Sequence, residues 1–449
     1  MLANNSSLTD GSVWKKLVWF ALPILVGNLF QQLYNTVDSI VVGNYVGNNA
    51  LAAVGASTPL INLLIGFFMG LATGAGVVVS RYFGANKPEE LSLSIHTFVA
   101  FAILSGVFMM FVGIAFSKDL LQMMGTPLDI LDDSTKYIQI YFVGIIANML
   151  YNAGSGILRA IGDSKRPLYF LIISVILNIL LDLLFVIVFE MGVAGAAWAT
   201  IICQTISMIL VFITLMSTKE CYRVCIDKIK IDWQMLKRII RIGIPAGLQQ
   251  VVISLSNVLV QSYVNGFNSL AIAGFSSGNK IDSLLGMFVQ SSSLTITTFV
   301  SQNIGAKRID RVKKGISICL LLTAIAVIAC GIPLFIYAEF IVGLFTPDVN
   351  VIAYGAEMVR TLVPFYVFLS YANIYVGALR GAGHSIAPML TQVFSFCIIR
   401  QIFLYFMMRV DYDVSIVFWS YSFTWVTAAL STAYYAYKSK WLQRIQNLD

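Results

Sequence analysis

Charged residues are scarce in this sequence: Asp, Glu, Lys and Arg make up 11% of its 449 residues, against 58% hydrophobic. That balance excludes an ordinary soluble globular protein, in which about a quarter of residues are charged. Histidine is scarcer still. His96 and His384 stand far apart with no Cys or carboxylate spacing around them, which argues against a zinc or haem protein. Six cysteines fall mostly in or beside apolar segments, and only Cys221 and Cys225 are close together, so neither a disulfide framework nor a metal knuckle is expected. The chain has no P-loop, no GxSxG and no metal-binding His constellation. ATP hydrolysis and covalent catalysis are therefore not expected, nor is any resident cofactor. The first apolar run lacks a small-residue cleavage site behind it and reads as a retained helix.

What is abundant is apolar sequence in runs of membrane length, since about 20 residues cross the hydrocarbon core as a helix. Apolar runs bounded by charge, Gly and Pro predict spans near 17–42, 50–79, 93–116, 136–157, 168–189 and 193–216, then 242–263, 281–300, 316–337, 352–379, 386–408 and 414–437. The net charge of +7 does not point to nucleic acid, because the basic residues gather in loops. The N-terminus, every second loop and the tail hold 23 of the 29 Lys and Arg. This asymmetry places both termini and the 217–241 loop in the cytoplasm. The reading divides the chain into an N-lobe (1–216), a cytoplasmic basic linker (217–241), a C-lobe (242–437) and a cytoplasmic tail (438–449).

The halves repeat. Phe20-Ala-Leu-Pro23 is echoed by Ile242-Gly-Ile-Pro245, Ser80–Ala85 (SRYFGA) by Ser301–Ala306 (SQNIGA), and Leu158–Ser164 (LRAIGDS) by Leu379–Ser385 (LRGAGHS), at displacements of 222, 221 and 221. Gly125-Thr-Pro127 and Phe345-Thr-Pro347 agree at 220. Six spans separate equivalent points, so the repeats insert in one direction and are related by a pseudo-twofold along the membrane normal. The expected fold is all-α and integral to the membrane, twelve transmembrane helices in two pseudo-twofold-related six-helix bundles. Such a pair facing a central cleft is the plan of an alternating-access transporter.

An ionisable group in hydrocarbon costs roughly 2.5–3.5 kcal/mol on insertion scales, so each one calls for a reason. Asp38 lies near the end of the first span, and Asp182 lies in the fifth with Asn178 four residues before it on the same helical face. At about 1.5 Å per residue, Asp182 sits roughly 12 Å in from Glu190, and Thr200 on the returning span roughly 15 Å in. Asp38, Asn178, Asp182 and Thr200 thus bring carboxylate, amide and hydroxyl oxygens to similar depth, a set suited to Na⁺. Two close carboxylates in low dielectric also suit a proton, because both cannot cheaply be ionised. The plain alternative is that Asp38 snorkels to the interface and Asp182 bonds a neighbouring helix. Across the repeat, Asp38 maps to Val260, Asn178 to Ile399 and Asp182 to Phe403. A purely structural pair would more naturally recur in both halves.

Other signals are less specific. Gln31, Asn35, Gln249 and Asn257, in the first and seventh spans, are candidates for a wet substrate cleft or for glue between helices. Pro23 and Pro245 are hinge candidates or ordinary kinks, and Pro364 answers Gly144 as another paired break. Glu357 and Arg360 have the spacing of a helical ion pair. Arg400 has no matched acid near it in sequence. The arginines of SRYFGA and LRAIGDS lie at loop edges and read as architectural, within reach of lipid phosphate.

Pro23 with Asp38 fifteen residues on, SRYFGA and SQNIGA, LRAIGDS and LRGAGHS, and GVAGAAWAT ending at Thr200 together make the chain, over 13–437, resemble a multidrug and toxic compound extrusion (MATE) transporter of the bacterial type. The resemblance implies a V-shaped pair of bundles that exports amphipathic organic cations by antiport against Na⁺ or H⁺. It implies a cation site at Asp38, Asn178, Asp182 and Thr200, and bending of the first helix at Pro23. NorM-like members carry a glutamate eight residues after the seventh-helix proline. Ile253 stands there in this chain, which is closer to the DinF-like branch. It further implies a multi-pass monomer of the bacterial plasma membrane, with organic cations and lipids as partners. A lipid-linked oligosaccharide or precursor flippase of the same superfamily is the alternative, although such a protein would line its cleft with cationic residues for pyrophosphate.

Overall fold

The computed structural model describes residues 7–439, 441 and 442, and every regular element among them is helical. The N-terminal half comprises α1 (Val13–Tyr45), α2 (Asn48–Gly84), α3 (Pro88–Met123), the bent α4 (Leu128–Val143 and Ile145–Ala160), α5 (Lys165–Val188) and α6 (Gly192–Ser217). The C-terminal half comprises α7 (Trp233–Val264), α8 (Ser269–Gly305), α9 (Ile309–Ile336), α10 (Val349–Gly381), α11 (Ile386–Val410) and α12 (Val414–Lys438). Eleven are long and apolar enough to cross a membrane singly, and the two pieces of α4, bent by 49°, make the twelfth.

The helices outrun the apolar stretches that announced them. α8 was expected at 281–300, with Lys280 just ahead of the apolar run, yet it starts at Ser269. Its extra turns are fixed by an Asn268 side chain that accepts from the Ala271 N–H, and by Gly274, where a Cβ would lie 2.4 Å from Tyr354 Cβ. Small residues also permit close helix approach in the first half. A Cβ on Gly74 of α2 would lie 2.5 Å from the backbone nitrogen of Gly243 in α7, a crossing that only glycine allows.

The chain divides into two compact units. One covers Leu22–Ile244, and the other takes Leu8–Ala21 with the described residues from Pro245 onward. The boundaries fall inside α1 and α7, immediately before Pro23 and at Pro245, although both helices run unbroken through these prolines. The first turns of each helix thus belong to the other unit.

The repeated loops hold the chain ahead of these helices. In the second unit, Gln302 Oε1 accepts from the Leu8 N–H at 2.9 Å, and Arg311 Nη2 donates to the Leu8 carbonyl at 3.1 Å. Arg308 pairs with Asp10 at 2.7 Å. In the first unit, Tyr82 accepts from Arg238, and His96 Nε2 accepts from the Cys225 N–H at 2.9 Å. SRYFGA and SQNIGA are therefore architectural clamps.

The fifth span of each half carries a π-helical segment beside a buried charged residue. In α5 it is Leu183–Val188, directly after Asp182, and in α11 it is Phe394–Ile399, directly before Arg400. Such segments rotate the helical phase and recur at functional sites. Paired breaks also appear in the fourth spans, at Gly144 of α4 and as a tight turn over Val363–Phe365 in α10. All six cysteines are free thiols.

Candidate functional site

Within the first unit, α1, α2, α4, α5 and α6 enclose a cavity of about 470 Å³. Asp38 and Thr200 line it, as do Gln31, Asn35 and Pro23. Asn178 and Asp182 lie behind its wall, each 0% exposed. Tyr34, one turn before Asp38, donates from its hydroxyl to Thr200 Oγ1 at 2.8 Å, which ties α1 to α6 beside the acid. The two carboxylates lie close enough to interact electrostatically with each other and with Tyr34 and Tyr137.

The hydrogen bonding of these groups is unusual. Buried polar side chains are nearly always partnered, because an orphaned one costs about 1–3 kcal/mol. Here Asp38 Oδ1, both Asp182 oxygens, both polar atoms of Asn178 and Gln204 Oε1 are buried with no hydrogen-bond partner among the described residues. These atoms come from α1, α5 and α6, and their local structure explains how they converge. Asn178 and Asp182 share a face of α5 at i,i+4, and Gln204 stands one turn beyond Thr200 on α6. A concentration of unpaired oxygens in a low-dielectric wall stabilises a cation or proton placed among them.

The second unit holds none of this at the equivalent positions. Val260, where the repeat places Asp38, is fully buried in an apolar cluster with Phe275 and Phe396. Its buried arginines each have a side-chain acceptor instead, although Arg380 Nε is left without a partner. Arg400 donates from Nη1 to Asn257 Oδ1 at 2.9 Å and lies over the rings of Phe396 and Tyr421, at 5.0 and 4.5 Å from their centroids. Arg380 donates from Nη2 to Gln249 Oε1 at 3.0 Å. Of the four cleft candidates, Gln31 and Asn35 reach the cavity, whereas Gln249 and Asn257 are engaged as acceptors for arginines. Asp282, an acid inside the expected 281–300 span, accepts a hydrogen bond from the Tyr366 hydroxyl.

Two sequence expectations are corrected. Arg360 pairs with Glu339 at 3.0 Å, not with Glu357, because the short helix Ala338–Gly343 carries the closer carboxylate. Arg159 of LRAIGDS was expected to face lipid phosphate as an architectural residue; it lines the cavity. Sequence reasoning also passed over Tyr34, Tyr137, Tyr141, Asn148, Asn152 and Gln204, all of which line it. The available signal was spacing, since Asn148 and Asn152 share a face at i,i+4, as do Thr200 and Gln204.

Comparison with known proteins fits this geometry. The MatE family profile matches twice, over residues 23–184 and 245–406, which is the internal repeat at a displacement of 222. Among curated proteins, the chain is 30% identical to the probable multidrug resistance protein YoeA of Bacillus subtilis over 86% of this chain and 84% of the relative. It is also 30% identical to the probable multidrug resistance protein YpnP of the same organism, over 88% of each. Among solved structures, a MATE crystal structure in the straight conformation superposes with a TM-score of 0.91 over all of both chains at 21% identity, so it shares the two-lobe bundle fold.

Proposed function

We propose, from the premise that this chain belongs to the MATE family of membrane transporters, that it is a secondary active exporter of amphipathic organic cations. Na⁺ or H⁺ moves in the opposite direction, and alternating access of the two lobes carries both. The observation that carries this reading is the set of buried, unpartnered oxygens at Asp38, Asn178 and Asp182. A negative site of this kind holds either the coupling ion or, through electrostatic attraction into the adjoining cavity, the organic cation. Binding of one weakens binding of the other, and that competition couples the two fluxes. Tyr34, Tyr137, Tyr141 and Tyr151 line the cavity and offer aromatic faces to a lipophilic cation. Pro23 and Pro245, beside the points in α1 and α7 where the chain passes from one compact unit to the other, are the hinges on this reading.

The protein then works as a monomer in the bacterial plasma membrane with both termini in the cytoplasm, where the basic loops face anionic lipid. Its partners are small organic cations and lipids. The relatives named as multidrug resistance proteins support a broad substrate range. The test is efflux of a fluorescent organic cation from vesicles with Na⁺ and proton gradients imposed separately. Transport driven by either gradient supports the reading and identifies the ion. Transport by neither, with the protein correctly inserted, overturns it.

A further inference from the structure

We propose that Arg159 is an oxyanion subsite at the end of the first-unit cavity opposite the acids, so that the transported amphiphiles include zwitterions carrying a carboxylate or similar group. This rests on the reading that the cavity carries transported solute. The argument comes from comparing the two halves. Arg159 and Arg380 are the same position of the repeated LRAIGDS and LRGAGHS motifs. In the second unit, Arg380 has an internal acceptor, Gln249 Oε1, which its Nη2 reaches at 3.0 Å, while its Nε is buried without a partner. Gln249 stands four residues after Pro245; the residue four after Pro23 is Gly27. The first unit therefore retains the arginine and lacks its acceptor.

The surroundings of Arg159 supply no replacement. It makes no hydrogen bond or ion pair among the described residues, and its electrostatic neighbour is the Tyr151 ring hydroxyl. Asp163, the carboxylate nearest in sequence, is engaged by Arg166 at 3.4 Å and by the N–H groups of Lys165 and Arg166 at 3.1 Å. Gly27 is not required by packing. A Cβ there would meet Leu171 and Leu168 at 3.6 and 3.8 Å, ordinary van der Waals distances. Gly27, Arg159 and Tyr151 all line the cavity.

The cavity is thus polar at both ends and of opposite sign. Along α1, Pro23 and Asp38 are about 22 Å apart, and Arg159, in the last turn of α4, lies near the turn that leads to Ser164 and Pro167 at the Pro23 end. An elongated amphiphile with an amine at one end and a carboxylate at the other fits this field. Arginine binds such an oxyanion through two parallel charged hydrogen bonds.

A matched pair of probes isolates the effect: tetramethylrhodamine, which carries a free carboxylate, and its methyl ester, which does not. Efflux of both is measured for the full-length protein in vesicles of phosphatidylcholine alone and of phosphatidylcholine with phosphatidylglycerol. Arg159→Gln is expected to lower the acid-to-ester efflux ratio about tenfold, the loss of one charged hydrogen-bonding partner. Gly27→Gln, which restores the second unit's acceptor, is expected to lower the same ratio with Arg159 intact. An unchanged ratio in Arg159→Gln overturns the inference. An equal loss of acid and ester assigns Arg159 a structural role and also overturns it. A ratio that shifts only in the anionic vesicles assigns the guanidinium to lipid phosphate and overturns the solute subsite. Failure of the wild type to move either probe overturns the exporter reading beneath it.

Discussion

The two halves of this protein share one frame and differ in how they treat buried charge. In the N-lobe, Asp38 and Asp182 are buried acids with unpartnered oxygens. In the C-lobe, Arg400 and Arg380 are held by Asn257 and Gln249, and Asp282 by Tyr366. A satisfied buried ion is a structural element, whose removal costs stability. An unsatisfied one costs stability where it stands, and it persists only where another requirement outweighs that cost. On the proposed function, this contrast places the chemistry in the N-lobe and scaffolding in the C-lobe, where Arg380 Nε is the one arginine nitrogen among the described residues that is buried without a partner.

The sharpest way to break this contrast is to neutralise one acid. Asp182→Asn is expected to abolish gradient-driven efflux of an organic cation without lowering the unfolding temperature of the detergent-purified protein, since it removes a buried charge that has no protein partner. A large drop in thermal stability would place Asp182 with the scaffold instead. Arg400→Met should do the reverse. It loses two hydrogen bonds, to Asn257 and Thr424, and two ring contacts, so stability should fall by about 2 kcal/mol in a denaturant titration while export remains coupled.

Gln249→Ala sharpens the comparison at a second pair. It leaves Arg380 without its acceptor and should destabilise by about 1 kcal/mol. Val260→Ala, at the C-lobe position that answers Asp38, should cost about 1 kcal/mol of packing and leave the ion dependence of efflux unchanged.

The smallest expected effect concerns the strap ahead of α1. The Thr9 hydroxyl, with further help from Arg308 and Arg311, holds the Asp10 carboxyl below its ordinary value of 3.8. A lowered value means that the charged form is favoured in the folded state. The strap's stabilisation is therefore fully present above pH 3.8 and disappears only as pH falls through the lowered value. Hydrogen-exchange protection at Leu8–Gly11, taken relative to the intrinsic exchange rate at each pH, should fall only below that range, and a loss of protection already at pH 5 would contradict it.

Much of this organisation was legible in the sequence, for identifiable reasons. Apolar runs of membrane length and four anchors at one displacement read directly as two six-helix bundles. Asp38 and Asp182 stood out because charge in hydrocarbon is rare, and because Val260 and Phe403 replace them across the repeat. What stayed hidden depends on relations between distant residues. Whether Arg159 finds an acceptor depends on Gly27, more than 130 positions away in the chain. Asp282 fell inside an expected span, but the Tyr366 hydroxyl that holds it is 84 positions away in the chain, so no local pattern marked it. The π-helical segments after Asp182 and before Arg400 leave no mark in the hydrophobic pattern, since both lie within continuous apolar runs.

The central claim is that the N-lobe oxygens hold the coupling ion and release it when an organic cation binds. The most direct measurement is ion release on binding. Tetraphenylphosphonium is added to purified protein in a weakly buffered solution, followed with a pH dye and a Na⁺-selective electrode. Wild type is expected to release one of the two ions in step with cation binding, and Asp38→Asn and Asp182→Asn to release neither. Release of the same amount by wild type and both variants would contradict the account.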